Sequence, residues 1–208
     1  MLLSSIEIAP TALVPPFNWS ELYGNNHPVE LELGCGKGMF LKEAARLNPG
    51  VNYLGIERAG RYYRQAVTRL TRTGLTNIRF MQADALDVMD RWIPPQSIQT
   101  IHVYFPDPWP KKRHHKRHII RPELLALAAR SLVDNGEFRV ATDHGVYGAA
   151  IRNVFSECAP LFASLPWQED SPDRLPTNYA LKWQRVGRTS WWARFQRRPG
   201  EPGRTRLA

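Results

Sequence analysis

The sequence predicts an α/β fold, a doubly wound and mostly parallel sheet closed by a C-terminal antiparallel hairpin. Three observations carry that prediction. Short apolar runs alternate with helix-period patterns through most of the chain, the order that builds a sheet covered by helices. The apolar runs are near-continuous rather than alternating, as expected of strands buried on both faces. A chain of 208 residues, 43% hydrophobic and 23% charged, is long enough to bury one such sheet without disulfide or metal staples.

Residues 1–28 carry Pro10, Pro15, Pro16 and Pro28 and read as an irregular lead-in. Val29–Leu33 (VELEL) is the first strand and runs into a glycine-rich turn. Met39–Leu47 places Phe40, Leu41, Ala44 and Ala45 on one helical face. Val51–Ile56 is the second strand, followed by an arginine-rich helix over Ala59–Thr73 that Gly74 closes. Asn77–Gln82 is the third strand and Ala85–Trp92 a short helix. Ile98–Phe105 is the fourth strand, and Arg121–Val133 a helix with Pro122 in its first turn, where a missing N–H costs nothing. Glu137–Thr142 is the fifth strand and Gly145–Cys158 a further helix. Tyr179–Gln184 and Ser190–Gln196 bracket Val186-Gly187-Arg188 as a hairpin, whose adjacent Trp191 and Trp192 must face opposite sides. Gly200–Ala208 is a loose tail in composition.

Charge narrows the class of partner. Lys and Arg number 28 against 19 Asp and Glu, a net +9. The surplus is concentrated in Lys111–Arg121 (KKRHHKRHIIR), which has no acid, and in the arginines of Arg185–Ala208. Cations packed so closely repel one another unless a polyanion neutralises them, and a nucleic acid backbone is the obvious candidate. The same cations disfavour a metal at His114, His115 and His118. Two cysteines make no disulfide framework and point to a reducing compartment. No apolar run is long enough for a membrane helix, and Met1–Pro10 lacks the basic residues of a signal or transit peptide, so the expectation is a cytoplasmic protein.

The turn after the first strand reads Glu32-Leu-Gly34-Cys-Gly36-Lys-Gly38. Glycines there let backbone approach a ligand at a helix N-terminus. The spacing is G-x-G-x-G, shorter than the G-x-G-x-x-G that cradles a pyrophosphate, which disfavours a nicotinamide-linked oxidoreductase. Glu32 would repel a diphosphate and favours an ammonium. Glu57 ends the second strand, about where a carboxylate bridges ribose hydroxyls. Asp84 follows the third strand, placed to accept from an adenine amino group. Together these features describe an S-adenosylmethionine pocket: Glu32, Gly34, Gly36, Glu57 and Asp84.

After the fourth strand comes Phe105-Pro-Asp107-Pro-Trp109-Pro110. Prolines on both sides hold Asp107 stiffly at the edge of the sheet where open α/β folds bind ligands. Trp109 offers a flat face to a base. Lys112, Arg113, Lys116 and Arg117 then form a candidate contact for a nucleic acid backbone.

The motifs ELGCGKG, GIE, QADA, FPDPWPKKRHHKR, ATD and LPTNY, in that order, resemble the bacterial tRNA (guanine-N7-)-methyltransferases over residues 29–197. The resemblance implies a class I methyltransferase sheet of seven strands, the hairpin supplying the reversed one. It implies S-adenosyl-L-methionine as cofactor, tRNA as partner, and 7-methylguanosine in the variable loop, conventionally position 46, as product. By the same resemblance Glu32, Glu57, Asp84 and Asp107 bind the cofactor, Asp107 is catalytic, and Lys111, Asp143 and Thr177 bind substrate. No membrane and no obligate protein partner are implied; monomer and homodimer both remain open. The domains expected are a lead-in over 1–28, the methyltransferase domain over 29–197 and a basic tail over 198–208. Two departures stand out: Ala180 where the family often has Glu, and His118 where relatives often have Arg. Another RNA base methyltransferase and a catalytically inactive RNA-binding relative are the competing readings.

Overall fold

The computed structural model describes residues 6–9, 13–109, 111–167 and 189–200. Its centre is an eight-stranded sheet in the order β1-β4-β3-β2-β5-β6-β8-β7. In chain order the strands are β1 (Glu7–Ile8), β2 (Val29–Leu33), β3 (Asn52–Ile56), β4 (Ile78–Met81), β5 (Ile98–Tyr104), β6 (Leu132–Thr142), β7 (Phe162–Leu165) and β8 (Trp191–Arg197). The helices are α1 (Trp19–Tyr23), α2 (Met39–Leu47), α3 (Gly60–Thr71), α4 (Ala85–Arg91), α5 (Pro122–Ser131) and α6 (Gly145–Glu157). β1 to β6 pair in parallel, whereas β8 runs antiparallel to both β6 and β7.

The sheet has one more strand among the described residues than the seven expected. Two strands were not expected, β7 and one from the lead-in, where Glu7–Ile8 pairs with Phe80–Met81 at the edge. The same lead-in holds α1, capped by the Asn18 side chain at one end and by left-handed Gly24 at the other. The reversed strand is present as β8, one residue beyond the expected Ser190–Gln196. Its expected hairpin partner, Tyr179–Gln184, lies outside the described residues. β7 carries no alternation strong enough to read from sequence, yet it closes the far edge of the sheet.

The apolar strands are buried on both faces, as their composition requires. One core packs α4, α5 and α6 against the sheet around Leu31, Leu54, Ile101 and Phe138. The other packs α2 and α3 around Leu41, Tyr53, Ala66 and Phe80. Truncating such a side chain to Ala costs about 2–5 kcal/mol. Trp192 is buried against Tyr104 and Phe105 on one face, while Trp191 faces the other side under the Arg152 guanidinium. On β8, Arg194 stands opposite Arg139 of β6, a repulsive pair on its own. Glu137 accepts from both. Burial alone would raise its pKa, but the two guanidiniums hold it below the usual carboxylate range.

Candidate functional site

Parallel strands end at one edge, so the segments following β2, β3 and β5 are brought together by topology alone. The turn after β2 needs glycine. Gly34 and Gly36 have φ of 76° and 54°, a region that side chains with a Cβ rarely adopt. A Cβ built at either would meet nothing within 4 Å, so the space beside this backbone belongs to a cleft. The N–H groups of Gly34 and Cys35 both donate to the Ile56 carbonyl, at 2.9 and 3.1 Å, which fastens the turn to the end of β3.

Glu57 completes that fastening. One carboxylate oxygen accepts from the Gly36 N–H at 2.8 Å and the other from the Ala59 N–H at 2.7 Å. The carboxylate is therefore fixed across the gap between turn and α3. Glu32 lies beneath it, 5% exposed, and its Oε2 has no hydrogen-bond partner among the described residues. Burial, reinforced by the nearby Glu57 charge, pushes the Glu32 pKa up to about 8.

The segment after β5 forms the opposite wall, and it is strained. Phe105 and Trp109 have φ of 51° and 35°, left-handed values that bulky residues avoid at a cost of roughly 1–3 kcal/mol each. Surrounding contacts hold them. The Phe105 N–H donates to the Ala141 carbonyl at 2.8 Å. A 3₁₀ helix over Lys112–Arg117 folds the basic run back onto the turn. His118 Nε2 lies 2.8 Å from the Pro108 carbonyl, so that nitrogen carries a proton and donates. Arg117 sits over the Trp109 ring at 4.8 Å and His114 meets it edge-on at 5.7 Å. Asp107, between the clamped ends, is exposed, and no described residue donates to its carboxylate. A residue serving as a self-satisfied turn would show such a bond. Behind it the Tyr147 hydroxyl is raised to about 12, by burial first and with the Asp107 charge adding to it.

Between these walls is a cleft of about 260 Å³, with Gly34, Gly36, Glu57 and Tyr62 on one side and Asp107, Trp109 and Arg117 on the other. Of the four candidate cofactor acids, Glu57 and Asp107 line it and Glu32 lies under Glu57. Asp84 does not line it. Asp84 is half-exposed and caps α4, accepting from the Leu86 N–H at 3.0 Å, with Arg58 3.6 Å from its other oxygen. Asp143 follows β6 at the same edge and is half-buried. Lys111, Arg113 and Lys116 are exposed on the folded basic run, while the side chain of Lys112 lies outside the described residues, as do Thr177 and Ala180. Trp109 is not a bare platform, because Arg117 covers one face.

Sequence reasoning missed Tyr62 on the cleft wall, exposed at 40% in the first turn of α3. An aromatic one turn after a strand-ending acid was the available signal. It also missed the clamp by His118, since a hydrogen bond to a backbone carbonyl ten residues away leaves no pattern in the chain.

These residues suit S-adenosyl-L-methionine. The unpartnered Glu32 oxygen calls for a cation, and the open faces at Gly34 and Gly36 leave room for a ligand against backbone. The methyltransferase donor carries an ammonium and lacks the phosphates that Glu32 would repel.

Comparison with known proteins agrees. A family model described as a putative methyltransferase matches residues 26–193. The tRNA (guanine-N(7)-)-methyltransferase of Aliivibrio fischeri is 36% identical over 184 residues, 86% of this chain and 77% of that protein. The one of Mycobacterium avium is 38% identical over 178 residues, 83% and 68% of the two chains. Among solved structures, the antibiotic-resistance methyltransferase Kmr superposes with a TM-score of 0.59 at 16% identity, covering 87% of this chain and 92% of that one. The 16S rRNA methyltransferase KamB gives 0.58 at 16% identity, covering 87% and 93%. The structural likenesses speak to the fold, a class I methyltransferase sheet. The sequence likenesses go further, and on them the chain belongs to the tRNA (guanine-N7-)-methyltransferase family.

Proposed function

We propose that this cleft carries the methyl group of S-adenosylmethionine to N7 of a guanosine in tRNA, and that the guanosine is the variable-loop residue conventionally numbered 46. Family membership carries the first part: the chain is an S-adenosylmethionine-dependent tRNA (guanine-N7-)-methyltransferase. The observation in the fold that supports it best is Glu32, a buried acid with an unpartnered oxygen under an open glycine turn. We assign the donor's ammonium to Glu32, its ribose to Glu57 and its backbone approach to Gly34 and Gly36. Asp84 is assigned to the adenine edge through the oxygen its helix cap leaves over.

The reaction asks little acid–base chemistry of the protein. When bound, the donor supplies a sulfonium methyl. Guanine N7 has a lone pair and no proton, so no general base is needed to make it nucleophilic. What remains is to hold two reactants in line, which can be worth roughly 7–11 kcal/mol. The purine gains positive charge as the methyl transfers. Asp107, without a donor of its own and fixed between two strained residues, is placed to stabilise that charge and orient the base. We assign the guanine edge to Asp143, and Lys111 and Thr177 to further substrate contacts. The tRNA backbone goes to Lys112, Arg113, Lys116 and Arg117. Arg117 also shares the stacking face with Trp109.

We further propose residues 29–197 as the methyltransferase domain, with 1–28 as lead-in and 198–208 as a basic tail. The protein would work in the cytoplasm as a monomer or homodimer without an obligate protein partner. The free, buried Cys35 and Cys158 fit a reducing compartment. No helix among the described residues is long and apolar enough to cross a membrane.

The test is to incubate the protein with bulk unmodified tRNA and methyl-labelled S-adenosylmethionine, then digest to nucleosides. Label is expected in 7-methylguanosine alone. Label in another nucleoside, or none, overturns the assignment. Reduction and chain cleavage at the methylated base then places it within the tRNA, and cleavage outside the variable loop refutes that location.

A further inference from the structure

α3 carries a second cationic surface that the basic run does not include. Arg61, Arg64, Thr68 and Arg72 follow at i, i+3, i+7 and i+11, with Gln65 and Arg69 filling i+4 and i+8, so all six share one helical face. The opposite face of the helix, Tyr63, Ala66 and Leu70, is buried in the core. The arginine ridge therefore points to solvent and is about 16 Å long at the rise of an α-helix.

The ridge works against its own helix. α3 contains no Asp or Glu, and neither its three arginines nor Arg72 at its C-cap has an ion-pair partner among the described residues. Like charges three and four residues apart repel. Arg61 stands in the first turn, where the helix dipole disfavours a cation, and Ala59 at the N-cap supplies no side-chain cap. A merely solvated face would use lysine–glutamate pairs at these positions. The pattern makes sense if an external polyanion neutralises it.

Topology indicates which one. β3 and β5 flank β2 on opposite sides, so the start of α3 and the folded basic run form the two walls of the same cleft. Tyr62, beside Arg61, lines that cleft together with Trp109 and Arg117. A nucleotide entering between the walls has its chain continuing over both. Arg69 differs from the rest: it is half-buried and donates to the Lys37 carbonyl at 3.3 Å, inside the glycine turn. It supports the cofactor wall.

We propose that Arg61, Arg64 and Arg72 form a second phosphate-contact surface for tRNA, engaging an arm of the substrate on the side of the cleft away from the basic run. This rests on the tRNA reading above. The experiment compares the parent with a triple variant, Arg61→Gln, Arg64→Gln and Arg72→Gln, measuring tRNA binding from low to high salt. A second triple variant places Lys at the three positions. The glutamine variant is expected to bind tRNA about tenfold more weakly near physiological salt. Its plot of log affinity against log salt should be shallower by roughly two to three. Its cofactor affinity should match the parent, and its melting temperature should be equal or slightly higher, since the repulsion along the helix is relieved. The lysine variant should keep the parent's salt slope. An unchanged slope in the glutamine variant overturns the ridge, and so does a lysine variant as impaired as the glutamine one. If the parent itself places no methyl on tRNA, the underlying reading falls and takes the ridge with it. If the parent methylates tRNA and the glutamine variant keeps the parent's affinity and slope, the ridge falls alone.

Discussion

The two walls of the cleft are built by opposite means. The cofactor wall is regular: strand ends, glycines in the conformations glycine tolerates, and backbone N–H groups already bonded to Glu57 at 2.7 and 2.8 Å. The substrate wall is irregular: two bulky residues at positive φ, held by His118, Arg117 and the Ala141 carbonyl. The first wall makes a binding surface out of main chain, where almost any strand–turn–helix unit would serve. The second holds a single carboxylate, Asp107, at one position and orientation. This difference separates affinity from turnover. Damage to the cofactor wall should appear in donor binding, and damage to the substrate wall in kcat.

The largest test of that separation is Asp107→Ala. Loss of one preorganised electrostatic partner at a developing charge typically costs 10²–10³ in kcat, and that is the expected drop here. Donor affinity, measured by calorimetry, should stay within about threefold. Near-normal turnover with saturating donor would remove Asp107 from the chemistry. A large loss of donor affinity with little change in kcat would erase the distinction between the walls.

Those walls were unequally legible in the sequence. Glycines and acids at three successive strand ends have a fixed relation to the sheet, because parallel strands share an edge; Glu32, Gly34, Gly36 and Glu57 could be placed from spacing alone. Asp84 shows the limit of that logic. A short polar residue before a helix is also a good N-cap, and this one is used as such. The basic run was legible as charge but not as shape. Lys and Arg have no periodicity that foretells a 3₁₀ helix folding over Trp109. β1 was invisible because two residues at an edge carry no pattern. The early start of β6 at Leu132, straight out of α5, was hidden by Asp134-Asn-Gly136, which reads as a turn; pairing with β5 jumps there from Leu132 opposite Ile98 to Glu137 opposite Thr100, with Asn135 at φ 62° inside the irregularity.

Glu32 sharpens the comparison through pH. With its pKa near 8, Glu32 is mostly protonated at pH 7 in the ligand-free protein, and burial is the main cause. A folded-state pKa above the unfolded value means that the folded state holds its proton longer. The group therefore costs nothing in acid and lowers stability progressively as pH rises from about 4.5 towards 8. An ammonium ligand selects the ionised form. Donor affinity should then rise about tenfold per pH unit from 6 to 8 and level off above, with about one proton released on binding at pH 7. Calorimetry in two buffers of different ionisation enthalpy counts that proton. Glu32→Gln should abolish the release and weaken donor binding about 10- to 100-fold, while raising ligand-free stability at pH 8. A parent that binds its donor with no proton exchange and a flat pH profile would show that Glu32 does not face the ammonium.

The smallest expected effect lies on the outer surface of the substrate wall, where the basic run holds two kinds of cation. Arg113 and Lys116 are exposed, and Arg117 is stacked on Trp109. An exposed cation that meets a phosphate contributes through released counterions, and losing it weakens binding to any tRNA sequence a few-fold. Arg113→Ala and Lys116→Ala should each make the salt dependence of tRNA binding shallower by about one and leave kcat at saturating tRNA within about twofold. Arg117→Ala should have the same effect on the slope and lower kcat as well, because it also frees the Trp109 ring that helps to hold the Asp107 turn. If all three variants change the slope alone, the clamp on Trp109 has no bearing on the reacting carboxylate. If Arg117→Ala lowers kcat with no change in slope, that arginine belongs to the turn and leaves phosphate contact to its neighbours.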